Sequence, residues 1–191
     1  MAREAVHIEE PGYARFLFNS APAAWIWLVV RVYLGYEWAK AGYEKIFDEH
    51  WLSSSAGLKG FVGYAVQGAG QGPHSAVNYG WYAAFLRWVG GDGAGIMSKL
   101  VAVGELTIGI ALILGLFTGV AAFLAGLLSV SFGLAGVAGV NPAFFVMEVL
   151  LILAWRNAGY IGLDRYVLPA IGTPWEPGRV FTRDKGVAQY A

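Results

Sequence analysis

From Leu106 to Met147 the chain carries no charged residue. One helix of about 20 residues crosses a bilayer, so an uncharged run roughly twice that length must fold back on itself. Two breaks present themselves, Gly115-Leu116-Phe117-Thr118-Gly119 and Gly139-Val140-Asn141-Pro142. Asn-Pro is a turn signal, and proline suits the first turn of a new helix. These breaks predict helices over residues 97–115, 119–138 and 142–157. A fourth, over 22–45, is less apolar because Arg31, Glu37, Lys40 and Glu44 interrupt it. The expected fold is all-α: an integral membrane four-helix bundle with both termini on one side.

Composition agrees. Only 14% of the 191 residues are charged and 57% are hydrophobic, where soluble domains carry about 25% charge. Mean hydropathy is +0.53. Thirteen basic and thirteen acidic residues cancel, which argues against a nucleic-acid surface. Without cysteine there is no thiolate nucleophile, iron–sulfur cluster or thiolate metal site. His7, His50 and His74 fall outside the spans, so no bis-histidine haem forms in the bundle, and no metal site is expected. Any redox activity therefore needs a mobile cofactor or a partner.

Basic residues beside the spans set the orientation. Arg3, Arg15, Arg156, Arg165, Arg179, Arg183 and Lys185 on the terminal side outnumber Lys45, Lys59, Arg87 and Lys99 in the first loop. Both termini are thus expected in the cytoplasm, and the protein in the cytoplasmic membrane. Residues 1–21 lack the apolar core of a signal peptide and read as a cytoplasmic segment, leaving the first helix as an uncleaved anchor. Residues 22–172 form the membrane domain, and 173–191, with Pro174, Trp175 and Pro177, a cytoplasmic tail. Within the domain, residues 46–96 are too aromatic for a linker, with Trp51, Tyr79, Trp81, Tyr82 and Trp88 among their rings. Two amphipathic segments, 58–66 and 77–88, either side of Gly68-Ala69-Gly70-Gln71-Gly72-Pro73, read as an extracytoplasmic cap at the outer interface.

An ionisable group in hydrocarbon costs at least about 2.5 kcal/mol, yet Arg31, Glu37, Lys40, Glu105 and Glu148 all fall within the expected spans. At about 1.5 Å per residue, Glu37 and Lys40 lie roughly 6 to 11 Å below the outer end, Glu148 about 9 Å and Glu105 about 12 Å. Arg31 is deeper, with a side chain long enough to reach the other side. Three carboxylates against two cations leave one of Glu105 and Glu148 to hold a proton it can exchange. The alternative is that these charges are interhelical glue in a glycine-rich bundle. On the first helix, residues 31, 38 and 45 form one stripe and 37, 40 and 44 another. Lys40 and Glu44, four apart, read as a local salt bridge.

The segments Arg31-Val32-Tyr33-Leu34-Gly35-Tyr36-Glu37-Trp38, Leu100-Val101-Ala102-Val103-Gly104-Glu105, Leu112-Ile113-Leu114-Gly115-Leu116-Phe117-Thr118-Gly119 and Leu153-Ala154-Trp155-Arg156-Asn157-Ala158-Gly159, followed by Gly162-Leu163-Asp164-Arg165, resemble the DoxX/DoxD family over about residues 22–175. The resemblance implies a four-helix membrane protein. In the DoxD branch it implies the large subunit of a thiosulfate:quinone oxidoreductase, which oxidises two thiosulfates to tetrathionate and passes the electrons to membrane quinone. Other relatives are membrane partners of redox and detoxification enzymes without catalysis of their own. Arg31, Glu37 and Glu105 match recurring polar positions and become the catalytic candidates. Lys40 with Arg31 would attract a dianion, Glu105 or Glu148 would supply a proton, and Trp38, Trp81 and Tyr82 would wall a quinone slot. The implied partners are the lipid bilayer and a small companion subunit or redox enzyme, with homo-oligomerisation left open. Two readings follow: a quinone-linked oxidoreductase subunit, or a scaffold that docks a redox enzyme. A solute carrier is a distant third, since no inverted repeat is evident.

Overall fold

The computed structural model describes residues 10–67, 76–137 and 139–173. The tail from residue 174, the Gly68–Pro73 linker, His7 and His74 lie outside the described residues. Among those described the chain is all-α. Its ten helices are α1 Gly12–Asn19, α2 Ala24–Phe47, α3 Glu49–Leu52, α4 Ala56–Val66, α5 Gly80–Gly90, α6 Ala94–Leu114, α7 Thr118–Leu134, α8 Asn141–Leu153, α9 Trp155–Ala158 and α10 Asp164–Ala170.

Among the described residues only α6 is by itself long and apolar enough to cross a membrane, and α1 with α2 qualifies as one pair bent by 55°. At about 1.5 Å per residue, α7 extends about 26 Å and α8 about 20 Å, both apolar but short. The helix expected over 142–157 breaks at Ala154. There α9 is held against the α1 end by Asn157, whose Nδ2 donates to the carbonyls of Leu17 at 2.9 Å and Ser20 at 2.8 Å. Within the N-terminal segment, residues 12–19 form α1, and Trp27 Nε1 donates to its Leu17 carbonyl at 2.7 Å.

The main packing is α2 on α6 and α7 on α8. The first pair meets backbone to backbone: a Cβ added at Gly109 would overlap the main chain of Ala39, and one at Gly42 that of Leu106. Small residues are what let membrane helices approach this closely. A core of Trp27, Leu34, Trp38, Leu112, Phe144 and Leu151 joins α2, α6 and α8. The outer faces are apolar too, with Val29, Val120, Phe123, Leu127 and Val146 all at least half exposed. A contiguous apolar surface on that scale marks contact with lipid or with another protein.

Both amphipathic segments are helices, as α4 and α5. Leu58, Val62, Ala65, Tyr82, Leu86 and Val89 form a second core between them, against Leu134 and Ala135 at the end of α7.

Gly115 ends α6 in the left-handed region at φ +65°, and the Leu116 N–H reaches back to the Ala111 carbonyl at 2.9 Å. This is a Schellman-type stop that favours glycine. Space requires glycine here as well, because a Cβ would overlap the Arg31 guanidinium.

Candidate functional site

The residues α2 buries include Trp27, Arg31, Leu34, Trp38 and Gly42, at spacings of three or four. Continued by three, this inner face reaches Lys45, so the 31-38-45 stripe faces inward. The 37-40-44 stripe turns away: Lys40 and Glu44 are exposed and Glu37 is half-buried. Lys40 and Glu44 form no salt bridge. The ion pairs among the described residues are Lys45–Glu105 and Asp48–His50.

Lys45 Nζ lies 2.6 Å from Glu105 Oε2. The carboxylate side chain is 1% exposed and the lysine side chain 19%. The ammonium also stands 5.3 Å from the centroid of the Trp51 ring, just beyond α2, within range of a cation–π contact. Lysine at this position lays a long apolar stem along the helix end and keeps its head partly exposed. The pair borders a cleft of about 210 Å³ that Glu37, Trp38, Phe132, Asn141 and Phe144 also line. Three aromatic walls, one ammonium and two carboxylates thus meet where α2, α6, α7 and α8 converge. Glu105 Oε1 has no hydrogen-bond partner.

Glu148 is fully buried one step further in. Its Oε1 accepts from Trp38 Nε1 at 2.9 Å and from Ser129 Oγ at 3.1 Å, while Oε2 has no partner. No cation pairs with it. Trp38 therefore touches both halves of the constellation, its ring lining the cleft and its N–H held by Glu148. Its ring also stacks on Phe132 with centroids 6.4 Å apart.

Arg31 belongs elsewhere. Fourteen residues from Lys45, it lies about 21 Å away along α2. Its Nη2 donates to the Ile161 carbonyl at 2.8 Å and its Nη1 to that of Ala158 at 3.4 Å. Beside it Asp164 accepts from the backbone N–H groups of Phe117 at 2.6 Å and Thr118 at 2.9 Å, capping α7 from outside its own helix. Trp81 is 66% exposed on α5. Tyr82 is buried but donates to the Ser131 carbonyl at 2.5 Å, and neither ring lines the cleft. Of the residues singled out in the sequence, Glu37, Trp38 and Glu105 share the cleft, Glu148 adjoins it through Trp38, and Arg31, Lys40, Trp81 and Tyr82 stand apart.

Sequence reasoning passed over Lys45, Ser129, Asn141 and Asp164 as site residues. Lys45 carried a readable signal, its place at the end of the 31-38-45 stripe. Ser129 and Asp164 carried none, since their partners lie 19 and 46 or more residues away.

Among the described residues no three His, Cys, Asp or Glu side chains gather as a metal site. The cleft offers aromatic faces, one ammonium and the unpartnered Oε1 of Glu105. Neither a curated protein nor a solved structure matches the chain. The DoxX family model matches residues 26–137, from the start of α2 through α7, a stretch that holds Arg31, Glu37, Trp38, Lys45, Glu105 and Ser129. With its apolar outer faces and membrane-length α6, this protein belongs to the DoxX family of membrane proteins.

Proposed function

We propose that the chain is the membrane subunit of a quinone-linked oxidoreductase, with thiosulfate as the electron donor. The observation that carries this reading is the Lys45–Glu105 pair set into an aromatic-walled cleft, beside a second buried carboxylate that has no cation. In this reading α2, α6, α7 and α8–α9 are the four spans of a bundle across the cytoplasmic membrane, and α4 and α5 form the aromatic cap. Residues 22–172 are the membrane domain, with both termini and the 173–191 tail in the cytoplasm.

Two thiosulfates joining as tetrathionate release two electrons, and a quinone that takes up two electrons also needs two protons. Bound quinone supplies that two-electron acceptor. Trp38, Phe132 and Phe144 hold the ring. Lys45 would polarise an oxygen, while Lys40 and Arg31, which sequence reasoning gave the attraction of a dianion, do not line the cleft. Glu148, which pairs with no cation among the described residues, would supply one of the two protons and the Lys45–Glu105 pair the other. Since this chain holds no cysteine, thiosulfate oxidation falls to a companion subunit.

The test is thiosulfate-dependent quinone reduction in membranes lacking this gene, complemented with the intact chain or with Glu105→Gln at matched abundance. Activity restored by the intact chain and lost with the variant supports the assignment. Activity independent of the gene discards it in favour of a scaffold, whose docking surface would be the exposed rings of Tyr64, Trp81 and Trp88.

A further inference from the structure

The helices pair unequally: α2 lies tight on α6 and α7 on α8, while α6 and α7 touch far less. The gap between them is a groove of about 580 Å³ lined by Leu100, Val103, Gly104, Leu124 and Leu127. Leu100, Val103, Leu124 and Leu127 are exposed on the apolar outer face, and a Cβ at Gly104 would meet nothing. Leu100, Leu128 and Ser131 are shared with a second apolar cavity of about 290 Å³ beneath α4 and α5. That chamber ends at Phe132, which also lines the Lys45–Glu105 cleft. Phe132 is held between Trp38 on the cleft side and Phe61 of α4, whose ring meets it edge-on at 6.0 Å. Three spaces thus follow one another from the outer face to the buried charges, two apolar and the last polar. A bulk lipid chain would account for the outer groove alone, whereas the sequence of spaces matches one molecule with a polar ring at one end and a long apolar tail.

We infer that the α6–α7 groove and the chamber behind it hold the isoprenoid tail of the quinone whose ring sits in the Lys45–Glu105 cleft, with Phe132 as the turning point between ring and tail. This rests on the quinone reading of the cleft and adds how the ligand arrives: sideways from the bilayer, between α6 and α7, under the Tyr82–Ser131 contact.

The experiment uses the full chain in phospholipid nanodiscs with three photoprobes: a quinone with a diazirine at the tail end, one with an azide on the ring, and a phospholipid with a diazirine in its acyl chain. The tail probe is expected to label the 100–107 and 124–131 segments, to be displaced by unlabelled long-chain quinone, and to lose labelling there in Gly104→Leu. That leucine fills the groove without touching the helix backbone. The loss should be roughly tenfold, about the effect of two methylenes left unburied. Ring labelling of the cleft should survive in the same variant when a tail-less quinone carries the azide. Ring labelling at Trp38 or Phe144 with tail labelling spread evenly over the outer faces would overturn the route and leave the quinone reading standing. Groove labelling by the phospholipid probe that quinone does not displace would likewise overturn it. Absence of labelling by both quinone probes would overturn both.

Discussion

Removing the ammonium of Lys45 should cost far more than removing the charge of Glu105, although the two form one pair. Lys45→Met leaves a fully buried carboxylate without its cation. Stranding a buried charge in this way costs about 3 to 5 kcal/mol. Part of the lysine side chain reaches solvent, so the lower end applies, about 3 kcal/mol. Glu105→Gln strands the partly exposed ammonium instead, which can turn outward along its stem, and the cost is about 1 kcal/mol. The double variant leaves no ion behind and should be destabilised by about 2 kcal/mol less than the sum of the singles. For a chain of this size about 1 kcal/mol shifts the melting temperature by roughly 2 to 4 °C. Lys45→Met should therefore melt roughly 6 to 12 °C below the wild type, with the double variant above it. The assay is thermal unfolding in one detergent, followed by helical circular dichroism. Equal losses from the two singles, or additivity in the double, would refute the buried ion pair.

Gly109→Leu should keep the protein from accumulating as a monodisperse species in detergent, because its side chain would enter the Ala39 backbone; Gly104→Leu, with open space before it, is the control and should melt within about 1 kcal/mol of the wild type. Asp164→Ala should cost about 2 kcal/mol by uncapping both the Phe117 and Thr118 N–H groups, with Asp164→Asn recovering part of it in the same melt. Asp48 is held below the usual carboxylate range, first by the His50 backbone N–H and then by its ring. A depressed carboxylate stabilises only while ionised, so the α3 cap is present at neutral pH and lost as the pH falls through the acid range. The His50 amide resonance should move with Asp48 between about pH 5 and about pH 2, and a shift flat across that range would refute the cap.

The turns were legible because their residues carry the reason themselves. Gly115 stops α6, Pro142 opens α8, and the amphipathic segments of the long loop became α4 and α5 within a few residues. The two stripes of α2 were legible as stripes, but which of them faces inward was not, and Lys40, a site residue in the sequence reading, lies on the one that turns out. Helices α6, α7 and α8 offered no such stripes. Where both lipid and core are apolar, every side of a helix reads alike and its rotation is hidden. The pairing of Lys45 with Glu105 needs the rotation of α6, and the hold of Ser129 on Glu148 needs those of α7 and α8. The break at Ala154 was hidden for a different reason, since it goes with the α1 contacts of Asn157, residues more than 130 positions away.

The buried charges divide by what they touch. Arg31 gives two of its donors to the main-chain carbonyls of Ala158 at the end of α9 and Ile161 just beyond it, next to the aspartate that caps α7. Such an arrangement holds the turns at one end of the helices in register. Lys45, Glu105 and Glu148 bond to side chains, and each carboxylate keeps one oxygen unpartnered. An unpaired buried oxygen costs stability wherever it occurs, and glutamine or a hydrophobe would serve packing better at either position. Arg31 Nε, Thr118 Oγ1 and Asn157 Oδ1 at the other end bear the same cost, so what sets the cleft apart is that its unpartnered atoms belong to two carboxylates. Their different partners, main-chain carbonyls for the one and the Lys45 ammonium for the other, explain why Arg31 and Glu105, both buried charges, belong to different parts of the protein.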